Sequence, residues 1–304
     1  MIPVGPHGGD GLALARALGM APDEVLDLSM NMNPFAPDIE VIAESRLWAL
    51  RHYPDPARAH QVLAEAMDVD PTRLLLTNGG SEAIALVAAE LGGRVRSEPE
   101  FALHPRGTTG PVWRSDPHSP SGHLAGPDET ADVWDEAYYP MVTGRWTAGR
   151  PGIVVGSLTK LYACPGLRLG YVLADDVARF ARHQPGWPVN NLALTVLEPL
   201  LGQTTLDVWA EHIREHRARL VAILAQVGLT ALPSDAPWVI VPAPGLRERL
   251  APSGILVRDC TSFGLPGHVR IGLANLNGLA RLESALNRLP DPDPDLTDLT
   301  DQVI

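Results

Sequence analysis

Hydrophobic residues along this chain fall into short runs separated by polar turns, and the period of the runs changes along its length. Leu12 to Leu18 predicts a short helix, and Leu26–Leu28 an extended piece. Leu74-Leu75-Leu76-Thr77 is an apolar run of strand length. The turn Asn78-Gly79-Gly80-Ser81-Glu82 carries it into an apolar helix from Ala83 to Leu91. Between Gly92 and Ala131 turn residues dominate and no period survives. The pattern returns at Asp132–Tyr138, a strand ending on a carboxylate, and at the apolar strands Ile153–Val155 and Leu169–Leu173. From Leu206 to Val227 the spacing predicts a long amphipathic helix with Trp209, Ile213, Leu220, Leu224 and Val227 on one face. Trp238–Val241, Ile255–Arg258 and Val269–Leu273 read as strands of a small sheet, and Leu276–Leu289 as a last helix.

The run from Ile153 to Tyr171 has a composition that packing alone does not explain. Its first strand ends in Gly156-Ser157-Leu158-Thr159-Lys160, which places two hydroxyls and one amine where a strand meets a loop. Pro165-Gly166 turns the chain, and Arg168 enters the second strand as a fixed cation. Lysine amines form Schiff bases with aldehydes and arginine pairs with phosphate, so this grouping suits pyridoxal phosphate, which carries both. A surface lysine and a strand-end arginine would also satisfy the spacing.

Two further segments carry chemistry. In the strand-turn-helix at residues 74–91, glycines allow close backbone approach to an anion, and free N–H groups at the helix start point toward it. The turn lacks the lysine of a nucleotide P-loop, and no Gly-x-Gly-x-x-Gly occurs. Asp135 at a strand end suits the anion that keeps a pyridinium nitrogen protonated. Asp135-Glu136 could also belong to a metal site, but no histidine lies close enough in sequence to complete one, and we assign no metal. His212-Ile213-Arg214-Glu215-His216 matches a zinc-peptidase pattern, yet no third ligand follows and packing at the edge of the apolar stripe explains it better.

Ser157-Leu158-Thr159-Lys160 and Pro165-Gly166-Leu167-Arg168-Leu169-Gly170-Tyr171 resemble the cofactor-lysine motif of class I/II aminotransferases with the type I fold. His7-Gly8-Gly9, the run Asp27-Leu28-Ser29-Met30-Asn31-Met32-Asn33-Pro34, and Arg258-Asp259-Cys260-Thr261-Ser262-Phe263-Gly264 followed by Arg270 resemble the threonine-phosphate decarboxylase and histidinol-phosphate aminotransferase branch. The resemblance implies a large α/β domain with a mostly parallel central sheet and a small α+β domain. Residues 1–40 would form an arm packing with the small domain, 41–188 the large cofactor domain, shortened around 93–132, and 189–289 the small domain.

The resemblance also implies roles. Lys160 would form the Schiff base and move protons, with Asp135 at the ring nitrogen and Tyr138 at the ring oxygen. Gly80, Ser81, Glu82, Ser157, Thr159 and Arg168 would surround the cofactor phosphate. Tyr53, in Tyr53-Pro54-Asp55-Pro56, would reach the cofactor of a neighbouring subunit, so a homodimer is expected; a buried tyrosine beside a Pro-capped turn is the plainer alternative. His104 stands where the family's ring-stacking aromatic falls, though a surface-loop histidine fits equally well. Ser119 replaces an asparagine that donates to the ring oxygen, which predicts a raised pKa for the Schiff-base imine. His7, Asn33, Arg258 and Arg270 are the implied substrate contacts, although the asparagines also read as turn residues and the arginines as surface cations flanking a turn. The implied activity is decarboxylation of L-threonine phosphate, which serves cobalamin biosynthesis, or transamination of the histidinol-phosphate type. A pyridoxal-phosphate-binding protein without turnover is a third reading.

Composition narrows the setting. The chain has 304 residues and a net charge of -12. Asp291, Asp293, Asp295, Asp298 and Asp301 concentrate part of that charge in a Pro-rich tail, 290–304, whose composition predicts disorder. No basic patch interleaved with aromatics suggests nucleic acid, and no apolar run reaches membrane-spanning length. Cys164 and Cys260 are too few for a disulfide framework, and Met1–Gly11 lacks the order of a secretion signal, so a cytoplasmic protein is expected.

Overall fold

The computed structural model describes residues 8–289. The expectations for His7 and for the 290–304 tail fall outside the described residues. Contacts divide the chain into two compact units, one of Met1–Pro34 with His212–Ile304 and the other of Phe35–Glu211. In chain order the strands are β1 (Leu26–Asp27), β2 (Leu74–Asn78), β3 (Arg94–Val95), β4 (Val112–Ser115), β5 (Val133–Asp135) and β6 (Ile153–Ser157). They continue as β7 (Leu169–Leu173), β8 (Trp238–Pro242), β9 (Ile255–Leu256), β10 (Arg258–Asp259) and β11 (His268–Gly272).

The Phe35–Glu211 unit holds a sheet in the order β2-β7-β6-β5-β4-β3. β3, β4, β5 and β6 run parallel, and β7 is antiparallel to both its neighbours, so the sheet is mixed but mostly parallel, as expected. Alternation sorts its side chains onto two faces. Trp113, Val133, Ile153, Val155 and Val172 pack with Ala83, Ile84 and Val87 of the Gly79–Leu91 helix. Asp135 follows Val133 by two residues and therefore shares that face. Trp134 takes the other.

Parallel neighbours usually require a helical crossover. Here neither the 96–111 nor the 116–132 connection contains a helix. The Trp134 face is closed by side chains instead: Arg150 lies 4.1 Å over the indole and Arg114 lies 5.7 Å from it. Arg150 pairs with buried Asp116 at 2.6 Å and Arg114 with Glu129 at 2.6 Å, so these cations are neutralised where water is excluded. β4 was not predicted. Its buried Arg114 and Ser115 hide the apolar pattern that a strand of this position would otherwise show.

In the other unit β8, β11 and β10 form an antiparallel sheet, while β1 pairs in parallel with β9. The predicted strand Ile255–Arg258 is therefore two strands that change partner at Val257. The Leu276–Leu286 helix starts at Asn275, whose side chain accepts from Gly278 N at 2.9 Å, and buries Leu279 and Leu282. The Leu206–Gln226 helix buries Trp209, Ile213, Leu220 and Leu224, the predicted stripe.

Candidate active site

One edge of the mixed sheet collects the chemistry. Strand pairing sets Asn78 against Leu169, Gly170 against Ser157, Val155 against Asp135, and Asp135 against Ser115. The ends of β2, β6, β5 and β4 and the start of β7 thus lie in a row, each step about 5 Å. Such carboxyl-end crevices are where open α/β sheets take ligands.

At β2 the helix begins earlier than predicted, at Gly79 rather than Ala83. Glu82 explains this, because its Oε2 accepts from Asn78 N at 2.7 Å and from Gln184 Nε2 at 3.2 Å. Glu82 is thus engaged as a cap of the helix start. The N–H groups of Gly80 and Ser81 fall in the first helical turn, where no intrahelical acceptor exists. Above them stands Arg168, held at φ +58°, with Nη2 3.3 Å from Ser81 Oγ. Among the described residues no carboxylate pairs with it. Backbones approach closely here, for a Cβ on Gly170 would stand 2.5 Å from the Gly79 carbonyl carbon and one on Gly80 3.2 Å from Ser157 Cβ.

Thr159 is engaged by the backbone of β7. Its hydroxyl is buried, donating to Leu169 O at 3.2 Å and accepting from Leu169 N at 3.3 Å, so it ties the Leu158–Leu161 turn of helix to β7. Ser157 and Lys160 remain half-buried at the end of β6. At β5, buried Asp135 accepts from Ala137 N at 3.1 Å and lies 3.0 Å from His104 Nε2. Tyr138, three residues on, is half-buried.

His104 has its side chain fully buried, one nitrogen 3.0 Å from Asp135 Oδ2 and its ring 5.4 Å from Trp113. Beside it lies Glu100, which sequence reasoning missed. Its carboxylate accepts from Phe101 N at 2.8 Å, from Ser115 N at 3.1 Å and from the Ser115 hydroxyl. Ser115 Oγ in turn accepts from Ser119 N at 2.7 Å, and Ser119 is buried. Glu136, next to Asp135, is buried and its carboxyl is pushed up to about 7 by desolvation, with Thr147, Ala148 N and Arg150 opposing the rise.

The other unit holds the predicted arginines. Arg258 and Arg270 face each other across β10 and β11, both buried, with guanidinium carbons 5.6 and 5.5 Å from the Phe263 ring. Arg258 donates to Ser262 Oγ at 2.8 Å. With its amide oxygen turned to the guanidinium, Asn31 accepts from Arg270 Nε and Nη2, each at 3.1 Å. Asn33 is buried in the same unit. Desolvation first, and then the neighbouring Arg270, depress the basicity of Arg258, as expected where two cations share a dry site. Upstream, Gly9 N donates to Ser29 Oγ at 2.8 Å, and a Cβ on Gly8 would stand 2.2 Å from Ser29 O, which clips the start of the described chain to the segment after β1.

The family of class I and II aminotransferases matches residues 110–289. A threonine-phosphate decarboxylase from Salmonella typhimurium is 30% identical over 351 residues, spanning 93% of this chain and 96% of that protein. This chain belongs to the class I and II aminotransferases. A histidinol-phosphate aminotransferase from Dechloromonas aromatica is 24% identical over 335 residues, spanning 90% of this chain and 92% of that protein. The solved histidinol-phosphate aminotransferase of Sinorhizobium meliloti in complex with pyridoxal-5'-phosphate superposes with a TM-score of 0.77 at 19% identity, covering 93% of this chain and 94% of that one. The type I fold follows, as expected.

As a class I/II aminotransferase the chain is a pyridoxal-phosphate-dependent enzyme. Its residues fit that cofactor. A helix start with an overhanging guanidinium suits a phosphate, a buried carboxylate at a neighbouring strand end suits a pyridinium nitrogen, and a half-buried lysine follows the strand between them.

Proposed function

We propose that this aminotransferase-family enzyme acts on a small phosphorylated amino acid, with L-threonine-O-3-phosphate decarboxylation as the first reading. Two buried arginines facing each other across one strand pair carry it. A dianionic substrate offers each a partner, a carboxylate for one and a phosphate for the other. The 30% identity with a threonine-phosphate decarboxylase, and the Gly8-Gly9 segment clipped to Ser29, favour this reading over transamination. Histidinol-phosphate transamination is the second reading, supported by the relative from Dechloromonas aromatica.

In this assignment Gly80, Ser81, Ser157 and Arg168 hold the cofactor phosphate. Lys160 carries the aldehyde end and moves a proton at the substrate's α-carbon. Asp135 keeps a proton on the ring nitrogen, and Tyr138 and Ser119 serve the ring oxygen. Bound there, the cofactor supplies an electron sink. Asn33 and Asn31 line the arginines that select the substrate's anionic groups.

The same reading includes a homodimer and a cytoplasmic site of action. Val41, Leu47, Trp48, Leu50, Tyr53 and Trp187 are exposed apolar side chains of one unit, and Tyr53 lies 4.6 Å from Trp187. A second copy would bury them and bring Tyr53 to its neighbour's cofactor. No helix among the described residues is long and apolar enough to cross a membrane.

Incubation with L-threonine phosphate tests the substrate: released carbon dioxide supports decarboxylation, and 2-oxo-acid-dependent consumption of histidinol phosphate would replace it with transamination. Borohydride treatment of the loaded protein should fix the cofactor to wild type and not to Lys160→Ala. Labelling of the variant would overturn the lysine assignment.

A further inference from the structure

Glu100 is only 3% exposed, and donors surround its carboxylate. Every polar group close to it is a donor or a possible donor. Phe101 N and Ser115 N donate at 2.8 and 3.1 Å, and the Ser115 hydroxyl donates as well. His104 Nδ1 lies 3.8 Å from Oε1 and His118 Nε2 lies 3.9 Å from Oε2, with Arg114 among the charges that sense it. His118 is already engaged, Nδ1 with Ser121 Oγ at 2.8 Å and Nε2 with Pro99 O at 3.0 Å. His104 Nδ1 is different: it is buried, has no hydrogen-bond partner, and faces this carboxylate.

We infer that Glu100 is a positioning residue of the active site, a buried anion that sets His104 against Asp135 and holds the Ser115–Ser119 turn in place. The inference rests on the assignment of Asp135 and Ser119 to the cofactor ring. One branch runs from Glu100 through the His104 ring to Asp135, whose Oδ2 is 3.0 Å from Nε2. A carboxylate opposite each ring nitrogen fixes which way the ring faces, and Asp135 is thereby held in place for a pyridinium nitrogen. The other branch runs through the Ser115 hydroxyl, which is oriented toward Glu100 and so presents its lone pairs to Ser119 N at 2.7 Å. One carboxylate thus fixes the supports at both polar corners of the ring, although it contacts neither the substrate nor the cofactor.

The test is Glu100→Gln, which keeps shape and volume and removes the charge. In protein freed of cofactor, nitrogen-15 spectra of the histidine rings, with His104 identified by its absence in His104→Gln, should show the His104 Nδ1 resonance shifted between wild type and Glu100→Gln. Glu100→Asp, which keeps the charge, should lie nearer wild type and serves if Glu100→Gln does not fold. Identical His104 resonances in wild type and the variants overturn the inference. In the loaded enzyme kcat should fall about tenfold or more with KM little changed, as for other outer-sphere supports, and the visible absorbance should titrate at a different pH. If the His104 ring changes as expected while the visible titration and turnover do not, the assignment of Asp135 to the ring nitrogen fails instead.

Discussion

Arg168 Nη2 stands 3.3 Å from Ser81 Oγ, directly over a helix start whose residue Gly79 adopts φ +77°. A Cβ at Gly79 would lie 2.7 Å from that same nitrogen. Gly79→Ala should therefore push the guanidinium off the phosphate position and weaken cofactor binding at least tenfold. Its cost in stability should be about 1–2 kcal/mol, from the left-handed backbone. Gly170→Ala meets rigid backbone, Gly79 C at 2.5 Å and Gly80 N at 2.7 Å, and should lower Tm more. Cofactor titration and melting of both variants separate the two effects.

In the proposed site Ser119 offers the ring oxygen a shorter donor than the family's asparagine, and its backbone N–H is engaged by Ser115 Oγ. Ser119→Asn should restore a donor to that oxygen and stabilise its ionised form. The visible absorbance transition of the loaded enzyme should then move to lower pH than in wild type. A pH titration of absorbance checks this.

Glu136 is held protonated by burial, with its carboxyl raised from 4.5 to about 7. Below pH 4.5 the folded and unfolded chains both carry the proton. As pH rises from there to about 7 only the unfolded chain releases it, so stability falls across this window and stays lower above it. The loss is at most about 3.5 kcal/mol at roughly 1.4 kcal/mol per pH unit. Glu136→Gln should flatten the profile and raise Tm at pH 8 while changing little at pH 4.5, as melting curves across that range would show.

Arg258 and Arg270 repel each other in a dry site. Arg258→Met should leave the protein as stable or stabilise it by about 1 kcal/mol, because a buried cation is replaced by apolar volume. Inorganic phosphate should raise the Tm of loaded wild type, and the same change should abolish that rise. Melting with and without phosphate reads both outcomes.

The segment from β6 to β7 was legible because a lysine, two hydroxyls and an arginine fall within 20 residues of chain, and local spacing carries that signal. Thr159 shows its limit, since a hydroxyl in a motif can serve Leu169 instead of a ligand. Glycines at 79 and 80 concealed the helix start because their propensity is low, and the cap that rescues it comes from Glu82. Asn31 bonds Arg270 through a contact 239 residues away in sequence. Glu100 was invisible for a similar reason. Its partners His104 and Ser115 lie in the one stretch without hydrophobic period, and Asp135 is reached only when β4 and β5 pair. The split at Val257 likewise depends on β1 and β11, which no local pattern names.

Arg150, resting 4.1 Å over Trp134, belongs to the loop whose Ala148 N donates to Glu136 at 3.3 Å. The indole therefore senses that loop through a cation pressed on its π-face. Its emission, read as the difference from Trp134→Phe among the chain's seven tryptophans, should follow the proton on Glu136, one residue from the carboxylate assigned to the cofactor.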